Sequence, residues 1–403
     1  MKHILMVLFK DIDYDARVQR EAIALAESGY QVTICCLNEF DTDPPFLHEL
    51  IKINKLAIST KQAKKGMSTG PSRKPSFVAK MVRNPAVKLA KDQYASYEFY
   101  KKVKRKMAFE TIHAIHCHDL NTLDTGKRLA EYFHSKLIYD SHELFNEMTG
   151  RNPLDRRFGY YLEGKLMKHV DRFITVNPYL IDKFNKRYGG LPPTIYLQNI
   201  PLLRFEQERK NDHYFHHLFG IPTDKIILLY QGGFSKNRGI ELCVRAMNHL
   251  PDQYHLVLLG DGDIKGALER LVDEQKLTSR VHFHPKVPPS EILSLTKEAD
   301  IGLVMYENVS ENNYYSTPNK IFEYMLMGLP VVSSNHPGKA YLLEEYDFGL
   351  PVAEDELAIV KGIEAIQQRS DYYVQKCNEA SKVLNWPNES RKLIQMYGEL
   401  FSK

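Results

Sequence analysis

Apolar positions along the chain follow two alternating rhythms. Short continuous runs such as HILMVLF, QVTICCL, TIHAIHC, KLIYD, RFITV and TIYLQN read as buried strands. Between them, apolar residues recur at helical spacing. In ARVQREAIALAESG, Val18, Ala22, Leu25 and Ala26 line one face and Gly29 ends the helix. The rhythm breaks over residues 200–222 and restarts with KIILLYQ, YHLVLLG, RVHFHP and DIGLVMY, separated by helical stretches. The last fifty residues read as helical. Strands that are apolar throughout, alternating with helices, predict parallel sheets covered on both faces. The pattern therefore predicts an α/β chain of two Rossmann-like domains facing each other, residues 1–200 and 223–385, joined by a linker at 201–222.

One stretch, TPNKIFEYMLMGLPVVSS, breaks the apolar pattern from within. Thr317 and Pro318 predict an N-cap and a first helical position. Ile321, Phe322, Tyr324, Met325, Leu326 and Met327 make the helix apolar nearly all round, and Gly328 stops it. Glu323 lies in its middle, where a carboxylate is costly unless it is satisfied. Two readings compete: an ion pair with Lys320 one turn back, or a ligand held at a site.

In open parallel sheets, ligands bind outside the carboxyl ends of strands, so the residues after each strand are the candidates. After the first strand, KDIDYDAR carries three alternating aspartates, read as helix caps and first-turn acids rather than metal ligands, followed by Arg17. His118–Asp119 and His142–Glu143 follow two further strands, a pairing suited to hydrogen bonding a polyhydroxylated ligand. In YQGGFSKNRGIE, Gly232 and Gly233 allow close backbone approach, and Lys236 and Arg238 add charge near a helix start, together an anion site. Neither the dinucleotide fingerprint nor the P-loop pattern is present. LGDGD at 259–263 reads as a tight turn. Ser316, Thr317, Pro318 and Asn319 form a second helix N-terminus suited to phosphate, with Lys320 adding charge. Glu323, one turn deeper, would reach a ribose diol.

The bulk numbers narrow the classes. The chain has 403 residues, 43% hydrophobic and 26% charged, a globular composition. No apolar run approaches the ~20 residues that span a bilayer, and no signal pattern opens the chain. Five scattered cysteines predict reduced thiols and a cytoplasmic setting. The net charge of +4 hides an asymmetry: residues 52–106 hold sixteen Lys and Arg against Asp92 and Glu98. That block, with KQAKK, SRK and KKVKRK, points to an anionic partner, a membrane surface, a nucleic acid or phosphate groups on a substrate, of which the anionic membrane surface is expected and a nucleic acid is not. A solvated helix face is the alternative.

In their order, DARVQREAIALAESGYQVTI, HCHDLNTL, YDSHELF, GGFSKNRGIELCVRAM, LVLLGDG, VHFHPKVPPSEI and PNKIFEYMLMGLPVV resemble the GT-B glycosyltransferases of family 4 over some 320 residues. The resemblance implies two domains across a cleft, with residues 386–403 crossing back to the first. It implies a UDP- or GDP-sugar donor held by the C-terminal domain and a glycan or lipid-linked acceptor held by the N-terminal one. Transfer would retain anomeric configuration, with no cofactor and no required metal. Glu323 matches the ribose-binding glutamate, Arg238 the diphosphate contact and His118 the histidine near the transferred sugar. Asp15, Arg17, His142 and Glu143 fall on the acceptor side. His118, Arg238 and Lys320 are the expected catalytic group. Gly232, Gly233, Arg238 and Ser316 to Lys320 with Glu323 form the expected donor set. Two departures stand out: Tyr315 replaces the first glutamate of the family's E-x7-E motif, and Gly233 replaces an arginine, whose charge Lys320 would supply. The PNK-FEYM form is that of a subgroup in surface polysaccharide synthesis. A nucleotide-sugar epimerase or hydrolase on the same scaffold, or an inactive scaffold protein, are the rival readings.

Overall fold

The computed structural model describes residues 1–59, 85–148, 150–203 and 213–402. KQAKK, SRK and residues 204–212 of the expected linker lie outside them. The chain forms two compact units, Met1–Gln198 with Ser390–Lys403, and Asn199–Glu389.

The first unit is built on seven strands: β1 (His3–Val7), β2 (Gln31–Leu37), β3 (Ile51–Leu56), β4 (Ala114–His118), β5 (Lys136–Asp140), β6 (Arg172–Thr175) and β7 (Thr194–Tyr196). They are parallel, in the order β3-β2-β1-β4-β5-β6-β7. Ile4 lies between Val32 on one side and Ala114 on the other. Every residue of β1 and β4 is buried, which is why these strands are apolar throughout and not alternating. The chain leaves β1 towards β2 and returns on the other side at β4. The loops after these two strands therefore part and leave a crevice at the strand ends. The final helix, Trp386–Phe401, brings Tyr397 into this unit, where its hydroxyl lies 2.9 Å from His116 Nδ1.

The second unit repeats the plan with six parallel strands: β8 (Ile226–Gln231), β9 (Tyr254–Leu259), β10 (Val281–His284), β11 (Ile301–Val304), β12 (Val331–Ser334) and β13 (Gly349–Val352). Their order is β10-β9-β8-β11-β12-β13, so the switch point lies between β8 and β11. Gly302 on β11 has no Cβ because the Tyr324 ring occupies that space, 2.3 Å from where the atom would stand. The Tyr324 hydroxyl then reaches β8, donating to the Leu229 carbonyl at 3.1 Å and accepting from Gln231 N–H at 3.0 Å. This pins the helix Asn319–Leu326 across the switch point.

Residues 213–222, expected to be linker, instead pack into the second unit. They carry the helix Tyr214–Phe219, and Phe215 and Ile221 join the buried core. Among the described residues, no helix is long and apolar enough to cross a membrane.

Candidate active site

At the second switch point, Gly232 turns the chain off β8 with φ 123°, a conformation closed to most side chains. The Lys320 amino group lies 3.5 Å from the place a Cβ would occupy there. Arg238, later in the same loop, lays its guanidinium 4.5 Å from the centre of the Tyr306 ring, just past β11. Lys320 Nζ stands 3.6 Å over the Tyr230 ring and 6.0 Å from Tyr306. Lys339, on the helix Pro337–Tyr346, approaches Tyr306 from another side at 4.9 Å. Four elements thus gather three cations around one aromatic ring, an arrangement its electron-rich face favours. Among the described residues none of the three has a carboxylate within ion-pair distance. Burial, followed by repulsion from Arg238, lowers Lys320 and Lys339 each to about 7.

Glu323 does not depend on its helical neighbour. Its Oε2 accepts from Gln231 Nε2 at 2.5 Å, and Gln231 Oε1 in turn accepts from the Thr296 hydroxyl at 2.8 Å. A strand-end amide therefore aims the carboxylate, while Lys320 turns to the aromatic rings. The local start of this helix differs from expectation. Pro318 is the cap, without a side-chain hydrogen bond, and Thr317 donates its hydroxyl to the Gly338 carbonyl at 2.5 Å. Ser316 ends the preceding helix Glu311–Tyr315. Asn319 accepts from Asn199 at 2.8 Å. A Cβ added at Gly233 would meet open space. Tyr315 packs its ring edge-on to Tyr314, 5.0 Å away.

The first switch point is also charged, but its charges answer one another. Arg17 is buried and fully engaged. Nε and Nη2 donate to Asp140 at 3.1 and 2.9 Å, and Nη1 donates to the Leu197 carbonyl at 2.7 Å. Burial opposes the charge on Asp140, yet Arg17 and His142 hold its carboxyl well below the usual range. His142 lies 3.2 Å from Asp140 and 3.5 Å from Asp119, which raise it to about 9 against the effect of burial. Glu21, 2.9 Å from Arg17 Nε, is left without hydrogen-bond alignment because that N–H points at Asp140. Burial then pushes Glu21 up to about 8. His118 stacks on His116 at 4.4 Å, its Nδ1 is 3.3 Å from His142, and burial lowers its pKa. Its buried Nε2 has no hydrogen-bond partner.

Asp119, at the tip of β4, takes φ 64° and ψ 163°, nearly a glycine-only conformation that costs about 1–3 kcal/mol. The Asp140 carbonyl, 2.8 Å from its N–H, and the His142 N–H, 3.1 Å from its side chain, hold it there. Asp15 caps the helix Ala16–Glu27 through Val18 N–H and pairs with Lys10 at 2.6 Å. Asp11 caps the short turn Ile12–Tyr14. Glu143 stays at the loop, its carbonyl accepting from Ser141 and Phe145. Glu21, His116, His118 and Asp140 each offer a ligand atom within 4.8 Å of the others, a donor set that could hold a metal. Here the Arg17 guanidinium already supplies positive charge to both carboxylates.

Several of these residues escaped the sequence reading. Asp140 is the last residue of KLIYD and Gln231 the last of β8, so the strand-end rule contained both. Glu21 follows Arg17 by one helical turn. Tyr306 is the last residue of DIGLVMY, a strand-end position. Lys339, inside an unremarkable helix, carries no such signal.

Two sheets with reversed strand order, each with a polar site at its switch point, define a GT-B-type α/β protein. Residues 16–197 match Glycosyltransferase Family 4 and residues 225–369 match Glycosyl transferases group 1. The chain belongs to this family of glycosyltransferases. It is 23% identical over 302 residues to an uncharacterized glycosyltransferase of Methanocaldococcus jannaschii, covering 70% of this chain and 74% of that one. A putative colanic acid biosynthesis glycosyltransferase of Escherichia coli, WcaL, is 24% identical over 36% of this chain and 37% of its own length. Among solved structures, the sucrose-phosphate synthase of Thermosynechococcus elongatus superposes with TM-score 0.76 at 20% identity, covering all of both chains. Anabaena HepE in complex with UDP gives TM-score 0.73 at 16% identity over 99% of this chain and 100% of that one.

Proposed function

We propose that the protein is a retaining hexosyltransferase. It would move a sugar from a UDP- or GDP-sugar to a glycan or lipid-linked acceptor in surface polysaccharide synthesis, without a required metal. The observation that carries this is the pair of cations Arg238 and Lys320, with no carboxylate in ion-pair reach among the described residues, beside the open turn at Gly232 and Gly233, with an aimed carboxylate one helical turn beyond. A diphosphate needs fixed positive charge and N–H donors, and a ribose diol needs an acceptor that is already oriented. Glu323, held by Gln231, meets the second need.

In this reading the donor belongs to the second unit and the acceptor to the first. As the anomeric bond breaks, Arg238, Lys320 and the first N–H groups of the helix Asn319–Leu326 take up the charge that builds on the leaving diphosphate. The acceptor hydroxyl enters on the leaving-group face. His118, placed by Asp140 and His142, offers Nε2 to the reacting sugar; Asp15, Arg17 and Glu143 support the acceptor-side loops. Solved HepE structures that hold UDP and UDP-glucose, and relatives named for polysaccharide synthesis, support the reading.

The reading also puts the protein at the cytoplasmic face of an anionic membrane. The helix Pro85–Lys106 exposes Lys101, Arg105 and Lys106, stacks Lys104 on Tyr132 at 3.8 Å, and is followed by the fully exposed Phe109. Cations with interfacial aromatics suit such a surface. Co-sedimentation with vesicles should rise with their anionic lipid content and fall with salt; equal binding to neutral vesicles would remove this part.

The deciding experiment is calorimetric titration with UDP and GDP, with and without EDTA, followed by a transfer assay from the sugar forms of the nucleotide that binds. Binding and transfer that persist in EDTA support the proposal. Transfer that needs manganese would contradict it, and turnover of the donor without an added acceptor would favour an epimerase or hydrolase.

A further inference from the structure

Lys339 is wholly buried, yet among the described residues no carboxylate stands within ion-pair distance of it. Its Nζ donates to the Asn313 carbonyl at 2.6 Å and the Ser316 carbonyl at 3.2 Å. Gly338 beside it has no room for a Cβ, which would stand 2.2 Å from the Tyr315 carbonyl oxygen, and its own carbonyl takes the Thr317 hydroxyl. The start of the helix Pro337–Tyr346 is therefore locked onto residues 313–317, the segment that leads into the candidate phosphate-binding residues.

The groups facing the two lysines do not neutralise them. Lys320 meets Arg238, Cys243, the rings of Tyr230 and Tyr306, and Glu323 on its own helix. Glu323 is aimed by Gln231 at 2.5 Å. Lys339 meets Arg238, His336, Tyr306 and Glu354. Glu354 is bonded to His336 at 2.7 Å and to Asn308 N–H at 3.0 Å. Three cationic side chains crowd one ring, so each charge opposes the next in a medium of low dielectric.

We propose that Lys339 is a further residue of the donor site, and that binding of a nucleoside diphosphate is coupled to uptake of protons by Lys320 and Lys339. This rests on the donor reading above. With the site empty, both amines are lowered to about 7, so slightly above neutrality they are largely unprotonated. A diphosphate set beside Arg238 and Lys320 replaces repulsion with attraction. Each amine then binds a proton from solvent and becomes an ammonium; no covalent bond to the ligand forms. Lys339 acts as a positioning residue, through the carbonyls of Asn313 and Ser316, and as a buried countercharge.

The test is calorimetric titration of UDP at about pH 8 in Tris and in Hepes, whose ionisation enthalpies differ. The terminal phosphate of UDP, with a second ionisation near about 6, brings no proton of its own at that pH. The expected result is an uptake of about one to two protons per nucleotide, with affinity falling by up to about tenfold per pH unit for each proton between pH 7 and 9. Arginine stays charged throughout this range. Lys339→Arg and Lys320→Arg should therefore each bind UDP with fewer protons taken up and a flatter pH profile, which a purely structural lysine would not produce. If either variant fails to fold, the wild-type proton count and pH profile still decide. UDP binding with no proton uptake and a flat profile would overturn the inference alone. Absence of nucleotide binding would remove the donor reading and this inference together.

Discussion

The two switch points share a strand plan and differ in how their charge is met. In the first unit, Arg17 lies against Asp140 and Glu21, and His142 is held between Asp119 and Asp140. In the second, Arg238, Lys320 and Lys339 surround Tyr306 with no carboxylate in ion-pair reach among the described residues. A self-neutralising network holds its own strand ends rigid. An uncompensated one is held at a cost in stability by the surrounding fold, and a ligand of opposite charge relieves that cost. In the proposed reading, this contrast gives the anionic part of the substrate to the second unit.

The comparison breaks most visibly at Asp140. Asp140→Asn removes the carboxylate that Arg17 hydrogen-bonds, leaving it buried with Glu21 alone, and should lower the stability of the first unit by about 3–5 kcal/mol. Urea unfolding checks this, with UDP affinity in the second unit expected to hold. Next in size, Arg238→Ala should weaken UDP binding by about 30- to 100-fold, the loss of charge-assisted bonds of about 2–3 kcal/mol. Among the described residues Arg238 has no ion pair to lose, and it repels Lys320 and Lys339, so the melting temperature of the variant should hold or rise. Glu323→Ala should cost about tenfold in nucleotide affinity, a single hydrogen-bond acceptor's worth, with little change in melting.

Smaller, because its parts oppose, is the pH dependence of stability. His142 is raised to about 9, so its stabilisation is complete below the ordinary histidine value and is lost as pH climbs through 9. Glu21, raised to about 8, acts in the same direction and loses its contribution as pH passes 8. Lys320 and Lys339 are lowered from 10.5 to about 7, so the unfolded chain binds more protons between those values and stability rises with pH across that window. Between pH 7 and 9 the first unit should soften while the second firms. Hydrogen exchange resolved by segment separates the two, and a common trend in both would dissolve the comparison. Least of all, Gly233→Arg enters open space and should shift stability by no more than about 0.5 kcal/mol, while adding a cation that tightens nucleotide binding.

Much of the fold was legible because parallel strands buried on both faces are written as unbroken apolar runs, and the strand-end rule pointed to His118, His142, Gly232 and Arg238, which the structure places at the two switch points. The linker expectation at 213–222 failed because its polar, histidine-rich surface masks Phe215, which anchors it in the core. Glu323 was visible as an anomaly, but its partner Gln231 lies 92 residues away in sequence, and no local pattern reports such a contact. The sequence offered Lys320 as that partner because helical spacing is the one proximity a sequence prints. Lys339 was invisible for the same reason: its site is made by tertiary packing on Tyr306.

The most direct test of where the diphosphate goes is hydrogen exchange of the intact chain with and without saturating UDP or GDP. The account predicts protection concentrated at Gln231–Gly239 and Ser316–Glu323, lost in Arg238→Ala. Protection confined to the strand ends around Arg17 and Asp140, or protection at the second unit that survives Arg238→Ala unchanged, would contradict it.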